Sequence, residues 1–221
     1  MQARYNSAVE TSNLPKKIGL LSDSHGDLEA LEAAVQLLLL RGAASLIHLG
    51  DICDSLRLDL LDASVRLIHR HGIRAVKGNN DFLLENLLLG RPPETADGTE
   101  PLIRFLQGLP MKIVWGEVCF AHSLPFDFLR AFYEPIDIGT NQRAEEVFGL
   151  TPYRILFCGH SHQPVVFRLS GKNVERAPFP ATPTLQLDRG DRHIVVTGAV
   201  SEGECVLFDA ENWRLERIRI P

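Results

Sequence analysis

Five short apolar runs in this chain each end in a polar motif, and that repetition limits the folds open to it. The runs cover residues 18–21, 46–49, 73–76, 118–121 and 155–158. The motifs after them are Asp23-Ser24-His25, Gly50-Asp51, Gly78-Asn79-Asn80-Asp81, His122 and Gly159-His160-Ser161-His162. Short unbroken apolar runs read as strands buried on both faces. Polar residues just past the carboxyl ends of such strands are where open α/β sheets build their sites. One such motif means little, but five in order imply a site assembled along a whole sheet edge.

The stretches between the first runs are helical. Asp27 suits an N-cap, and Leu28, Leu31, Val35 and Leu38 recur at helical spacing as far as Gly42. A second helix over 56–70 aligns Leu60, Leu61, Val65 and Ile68 on one face and closes at His71-Gly72. This β-α-β-α-β order implies a parallel sheet with right-handed crossovers. Residues 90–101 read as a loop, 102–108 as a short helix, 111–121 as a hairpin turning at Gly116-Glu117, and 140–149 as a helix. After His162 the pattern is all β, with strands near 164–169, 184–188, 193–198, 204–209 and 213–220. The expected fold is α/β: a parallel N-terminal half and an antiparallel C-terminal half, forming two mixed sheets face to face with helices outside. Polar residues 1–15 are expected to be a flexible tail, and 16–221 a single domain.

The net charge of −5 over 221 residues argues against a general nucleic-acid binder. No apolar h-region opens the chain, and its most apolar stretch, residues 37–40, is far too short to span a bilayer. A cytoplasmic location without membrane attachment is expected. Cys53, Cys119, Cys158 and Cys205 form no Cys-x-x-Cys pair and read as buried free thiols.

Asp, His and Asn together suit a borderline metal such as Mn, Fe, Zn or Ni, whereas calcium prefers all-oxygen sites. Seven donors exceed the need of one ion and fit two ions sharing a bridging carboxylate, an arrangement used for in-line attack at phosphorus. Two divalent ions, two aspartates and a hydroxide leave a charge of about +1, so an acidic protein can still hold a phosphate there. Rival phosphate chemistries are missing: there is no Gly-x-x-x-x-Gly-Lys loop, no Cys with an Arg six residues on, and no Gly-x-Ser-x-Gly elbow.

Asp23-x-His25, Gly50-Asp51-x-x-Asp54, Gly78-Asn79-x-Asp81, a lone His122 and Gly159-His160-x-His162 resemble, in order, the blocks of the calcineurin-like metallophosphoesterases. The resemblance runs from about Lys16 to the C-terminus. It is closest to the small bacterial and archaeal single-domain phosphodiesterase branch. It implies a four-layer α-β-β-α sandwich with a two-metal centre. Asp23, His25 and His162 would bind the first ion, Asn79, His122 and His160 the second, and Asp51 would bridge them. A metal-bridging hydroxide would attack a small phosphodiester in line, with manganese the expected metal. Phosphomonoester hydrolysis at the same centre, or a non-catalytic scaffold of the same fold, are the alternatives. Two departures stand out. Many members place a leaving-group histidine where this chain has Asn80, which implies a preference for good leaving groups. The usual Asn-Pro-Gly-Ser before the last strands is replaced by Val196-Thr197-Gly198-Ala199.

Other residues carry less. Asp54 and Asp81 are expected behind the ligands, as carboxylates that orient a metal-bound histidine. His48 reads as a satisfied core histidine, and His69 and His71 as helix-end residues. Arg130 and Arg143 are candidates for holding the substrate phosphate. Phe126, Phe128, Phe132 and Tyr133 either line a pocket or pack a loop. Strands over 204–220 could pair edge to edge in a homodimer.

Overall fold

Strand-forming runs of four or five residues can be buried only if another layer covers each face, and the chain supplies both layers. The computed structural model describes residues 7–92, 98–180 and 184–221. Its first half runs β1 (Ser7–Glu10), β2 (Lys17–Leu21), α1 (Leu28–Leu40), β3 (Ser45–His48), α2 (Leu58–Arg70), β4 (Arg74–Ala75), α3 (Asn79–Leu89) and α4 (Glu100–Gly108). Then follow β5 (Lys112–Trp115), β6 (Val118–Ala121), α5 (Gln142–Leu150), β7 (Ile155–Cys158), β8 (Val165–Ser170) and β9 (Asn173–Pro178). The chain ends with β10 (Leu185–Gln186), β11 (Arg192–Val196), β12 (Glu204–Asp209) and β13 (Arg214–Arg219). Single 3-10 turns occupy Leu129–Phe132 and Val200–Glu202.

Two mixed sheets result. One has seven strands in the order β1-β5-β6-β7-β11-β8-β9, the other six in the order β10-β13-β12-β2-β3-β4. Between them lies a core that includes Ile18, Leu20, Ile47, Phe120, Phe157, Val195 and Phe208. Phe157 and Phe208 meet across the two sheets with ring centroids 5.0 Å apart. Burying each such side chain is worth roughly 2 kcal/mol. A second core joins the six-stranded sheet to α1–α4 through Leu31, Val35, Leu61, Ile68, Leu84 and Leu106. A third packs the seven-stranded sheet against α5 and segment 124–136. The order of layers is therefore α-β-β-α. All four cysteines are buried and free. No helix among the described residues is long and apolar enough to cross a membrane.

Local chemistry explains several boundaries. Asp27 caps α1 by accepting the Ala30 amide at 2.9 Å. Gly42, at φ +86°, lets the chain turn back so that the Ala43 amide reaches the Leu38 carbonyl at 3.0 Å. The hairpin turning at Gly116-Glu117 joins β5 to β6 as expected.

Both sheets are mixed, as expected: β8, β9 and β11 extend the sheet of β5–β7, while β10, β12 and β13 extend that of β2–β4. Each sheet thereby gains strands that cover edges the parallel core would leave open. Residues 7–15 are no flexible tail. β1 pairs in parallel with β5, Ala8 and Leu14 touch the inter-sheet core, and Trp115 Nε1 donates to the Ser12 carbonyl at 2.7 Å. Residues 1–6 and 93–97 lie outside the described residues. α3 and β9 add two elements that the sequence pattern does not predict. α3 carries leucine on every side, and β9 is mostly exposed and among the described residues pairs with β8 alone. In the second sheet β12 lies between β2 and β13, and β10 pairs with β13 at Arg214 and Leu215.

If residues 7–15 are docked in this way, Trp115→Phe loses a buried hydrogen bond and leaves the Ser12 carbonyl unpaired. We expect a loss of about 1 kcal/mol in urea unfolding at unchanged m-value. An unchanged midpoint would mean that the segment is loose.

Candidate metal centre

The loops that follow β2, β3, β4, β6 and β7 meet at one end of the two sheets. They approach so closely that glycine is required where they cross. A Cβ on Gly78 would lie 2.2 Å from Asp51 Oδ1, and one on Gly159 would lie 1.8 Å from Ser22 Oγ. The backbone is also unusual. Asp23, His25, Asp51, His160 and His162 all take positive φ, between +49° and +73°, and Trp213 is the one other non-glycine residue described with that conformation. Such residues persist only where the surroundings hold them, and they cluster at functional sites.

These constraints aim the donors in two groups. Asp23, His25 and His162 bring one donor atom each within 4.8 Å of one another, as do Asp23, Asp51 and His122. His25 Nε2 and His162 Nε2 stand 3.2 Å apart. Asp23 Oδ1 is buried without a hydrogen-bond partner, and His162 Nε2 faces it at 3.5 Å, an ionic rather than a hydrogen-bonded contact. In the second group His122 Nε2 lies 2.9 Å from Asn79 Oδ1 and 3.1 Å from His160 Nδ1. His122 Nδ1 donates to the Leu49 carbonyl at 2.9 Å, so its Nε2 lone pair is the one turned inward. Asp51 Oδ1 sits 3.6 Å from His122 Nε2.

Lone pairs aimed at a common point repel unless a proton or a cation lies among them. The charges around Asp23, His162 and His122 act in the same direction. Burial alone would raise the Asp23 carboxyl, but the imidazoles of His162 and His122 and the Ser22 hydroxyl hold it well below the carboxylate range. Contact with Asp23, against the effect of burial, pushes His162 up to about 9. Burial lowers His122, yet the Asp51 and Asp23 charges raise it on balance. His160 is lowered by burial and by the His122 charge. The centre thus draws positive charge. An orphaned carboxylate oxygen with inward-facing imidazoles and an amide oxygen fits divalent ions at both positions.

The supporting residues differ from expectation. Asp81 does lie behind the ligands, but it acts on backbone rather than on a histidine. Its Oδ2 accepts the amides of Asp51 at 2.9 Å and Gly78 at 2.8 Å, and its Oδ1 accepts Ile52 N at 3.1 Å. Burial, then the Asp51 charge, push Asp81 up to about 7. Asp54 instead closes its own turn by accepting the Leu56 amide at 2.8 Å. Asn80 clamps Asp51: its backbone amide reaches Oδ1 at 2.8 Å and its Nδ2 reaches Oδ2 at 2.7 Å, while its Oδ1 accepts Ser55 N at 3.1 Å. This uses one of the two Nδ2–H donors and the oxygen of the side-chain amide. Arg130 and Arg143 both ion-pair with Glu134 rather than reaching into the centre. Phe132 stacks on Phe82 of α3 with centroids 5.6 Å apart, and Phe126 stacks on Phe128. A cavity of about 630 Å³ lined by Val166, Leu187 and His193 carries none of the seven donors. His193 is a buried strand residue there, bonded to the Asp188 carbonyl, and His71 pairs with Glu32.

Two supporting residues carry no signal of that function in the sequence. Glu202 accepts His162 Nδ1 at 3.0 Å. His48, read as a core histidine, ties two loops: it accepts Gly50 N at 3.2 Å on Nδ1 and meets Ser24 Oγ at 2.9 Å through Nε2, and Ser24 donates onward to Ile52 O. Burial pushes His48 down from 6.5 to about 3. A histidine with a lowered folded pKa binds fewer protons folded than unfolded, so its contribution is full above 6.5 and is lost as pH falls toward 3. In the metal-free protein His48→Gln should flatten the fall in unfolding free energy between pH 6.5 and 4.5, a difference on the order of 2 kcal/mol. Parallel pH profiles for the two proteins would remove His48 from this role.

Comparison with known proteins follows the same lines. The model of the calcineurin-like phosphoesterase superfamily domain matches residues 17–175, a span that holds all seven donors. A search of curated proteins gives no match. Among solved structures, a metallophosphoesterase from Sphaerobacter thermophilus is 22% identical with a TM-score of 0.71, covering 94% of this chain and 89% of its own. A putative diadenosine tetraphosphatase is 15% identical with a TM-score of 0.57, covering 97% and 98%. A hypothetical protein from Pyrococcus horikoshii is 16% identical with a TM-score of 0.59, covering 92% and 87%. At these identities the structures establish a shared fold. With most of the chain inside the family model, it belongs to the calcineurin-like phosphoesterase superfamily, hydrolases that act on phosphate esters.

Proposed function

We propose that the chain is a metal-dependent phosphodiesterase acting on a small phosphate diester at a dinuclear centre. The observation that carries this reading is the pair of donor groups on either side of Asp51: Asp23, His25 and His162 on one, Asn79, His122 and His160 on the other. Two divalent ions held there would supply Lewis acidity at phosphorus and an activated water, with manganese the metal we expect. The chain's own residues do the rest. Asn80 holds Asp51 by its two carboxylate oxygens, and Asp81 holds it by its amide. Leu49 and Glu202 fix which nitrogen of His122 and His162 faces inward. With Arg130 and Arg143 paired to Glu134, the arginines of the segment after His122 do not supply the extra cation that a doubly charged monoester favours. A singly charged diester suits the centre better. The complete donor set weighs against a scaffold role. We expect a soluble cytoplasmic enzyme with no specific nucleic-acid partner.

The test is hydrolysis of bis-p-nitrophenyl phosphate against p-nitrophenyl phosphate by metal-stripped protein refilled with Mn, with Asp51→Asn alongside. Faster diester turnover that needs metal and falls at least 100-fold in the variant is expected. Faster monoester turnover would make the protein a phosphatase. Absence of both activities from protein that binds two ions would favour the scaffold reading.

A further inference from the structure

We infer that the 3-10 turn Val200–Glu202 forms the outer wall of the first ion position and that Glu202 is the residue that positions His162 there. The inference rests on the two-ion reading above. The turn lies beyond residue 175, where the match to the family model ends, and follows the segment that departs from the usual Asn-Pro-Gly-Ser.

A histidine can present one nitrogen to a metal only if the proton is kept on the other, and a carboxylate or carbonyl commonly does this. Glu202 Oε1 accepts from His162 Nδ1 at 3.0 Å. That bond leaves the Nε2 lone pair facing His25 Nε2 at 3.2 Å and Asp23 Oδ1 at 3.5 Å. His25 has no such aid, since its Nδ1 is buried without a partner. Glu202 therefore acts on one of the two histidines at that position.

The turn that carries Glu202 is joined to the loop that carries Asp23. Val200 N donates to the Ser22 carbonyl at 2.8 Å, and Ser201 bonds the Asp23 carbonyl through its amide at 3.3 Å and its hydroxyl at 2.8 Å. Gly203, at φ +78°, ends the turn and sends the chain into β12. Asp23 and the orienting carboxylate thus keep a fixed relation. The next acid, Glu204, faces the other way, buried and ion-paired with Arg217 and Arg219. The Glu202 side chain is 59% exposed, so the fold does not need it as a core element.

The test is calorimetric titration of metal-stripped protein with Mn. Wild type should bind two ions. Glu202→Ala should weaken one of them roughly 10–100-fold and leave the other unchanged. Glu202→Gln, which keeps an acceptor oxygen, should recover most of the loss. The thermal midpoint of the metal-free proteins should not differ. Two ions bound by Glu202→Ala as tightly as by wild type would overturn the assignment while leaving the two-ion reading intact. Equal weakening at both positions with a lowered metal-free midpoint would make Glu202 a structural residue and overturn it as well. A wild type that binds no Mn would overturn the two-ion reading and the assignment together.

Discussion

Asp81 is a buried carboxylate that accepts three backbone amides from two different loops, and the placement of Asp51 depends on it. An ionised carboxylate out of water is unfavourable unless hydrogen bonds compensate; these three amides offset part of that penalty, while burial and the Asp51 charge still push Asp81 up to about 7. The same bonds tie the loop after β3 to the start of α3. Asn79 and Asn80 then open that helix beside Asp51, one facing His122 and the other clamping the aspartate. A single buried acid thereby fixes the relation between Asp51 and the neighbouring donors Asn79 and His122. Removing it would free two loops at once.

Around that anchor the backbone itself is held away from its preferred conformations. Five of the seven donors sit in the left-handed region, where a residue with a side chain is disfavoured by on the order of 1 kcal/mol. Nothing in the cores requires this, because the strands are already buried by helices and by each other. The strain is concentrated where donors must point at one another, and the sheets and the loop-to-loop bonds supply the stability that keeps it. Bound cations would relieve the further repulsion between lone pairs and between Asp23 and Asp51. Ions bound there would therefore couple metal binding to folding.

Much of the centre can be read in the chain because its donors are bound to regular features. Asp23, Asp51, Asn79, His122 and His160 each follow a short apolar run, and strand ends come together when the strands do. α1 and α2 announce themselves through periodic leucines and a capping Asp27. What escapes such a reading is set by tertiary context. β1 and β9 are largely exposed, without the alternation that marks a half-buried strand, and they exist because an edge strand offers them a partner. α3 is leucine-rich on every face, so its period does not show. The roles of Asn80, Asp54, Arg130 and Arg143 turn on which neighbour each side chain meets first, and spacing along the chain does not encode that. Glu202 lies 40 residues past His162 and meets it because β11, which leads into its turn, pairs in parallel with β7, which leads to His162.

The most direct test of the account is a crystal structure grown with manganese, with anomalous scattering collected to place the ions. The account requires two peaks, one contacting Asp23, His25 and His162 and one contacting Asn79, His122 and His160, with an Asp51 carboxylate oxygen reaching both. A single peak, or two peaks with Asp51 reaching neither or only one, would contradict it.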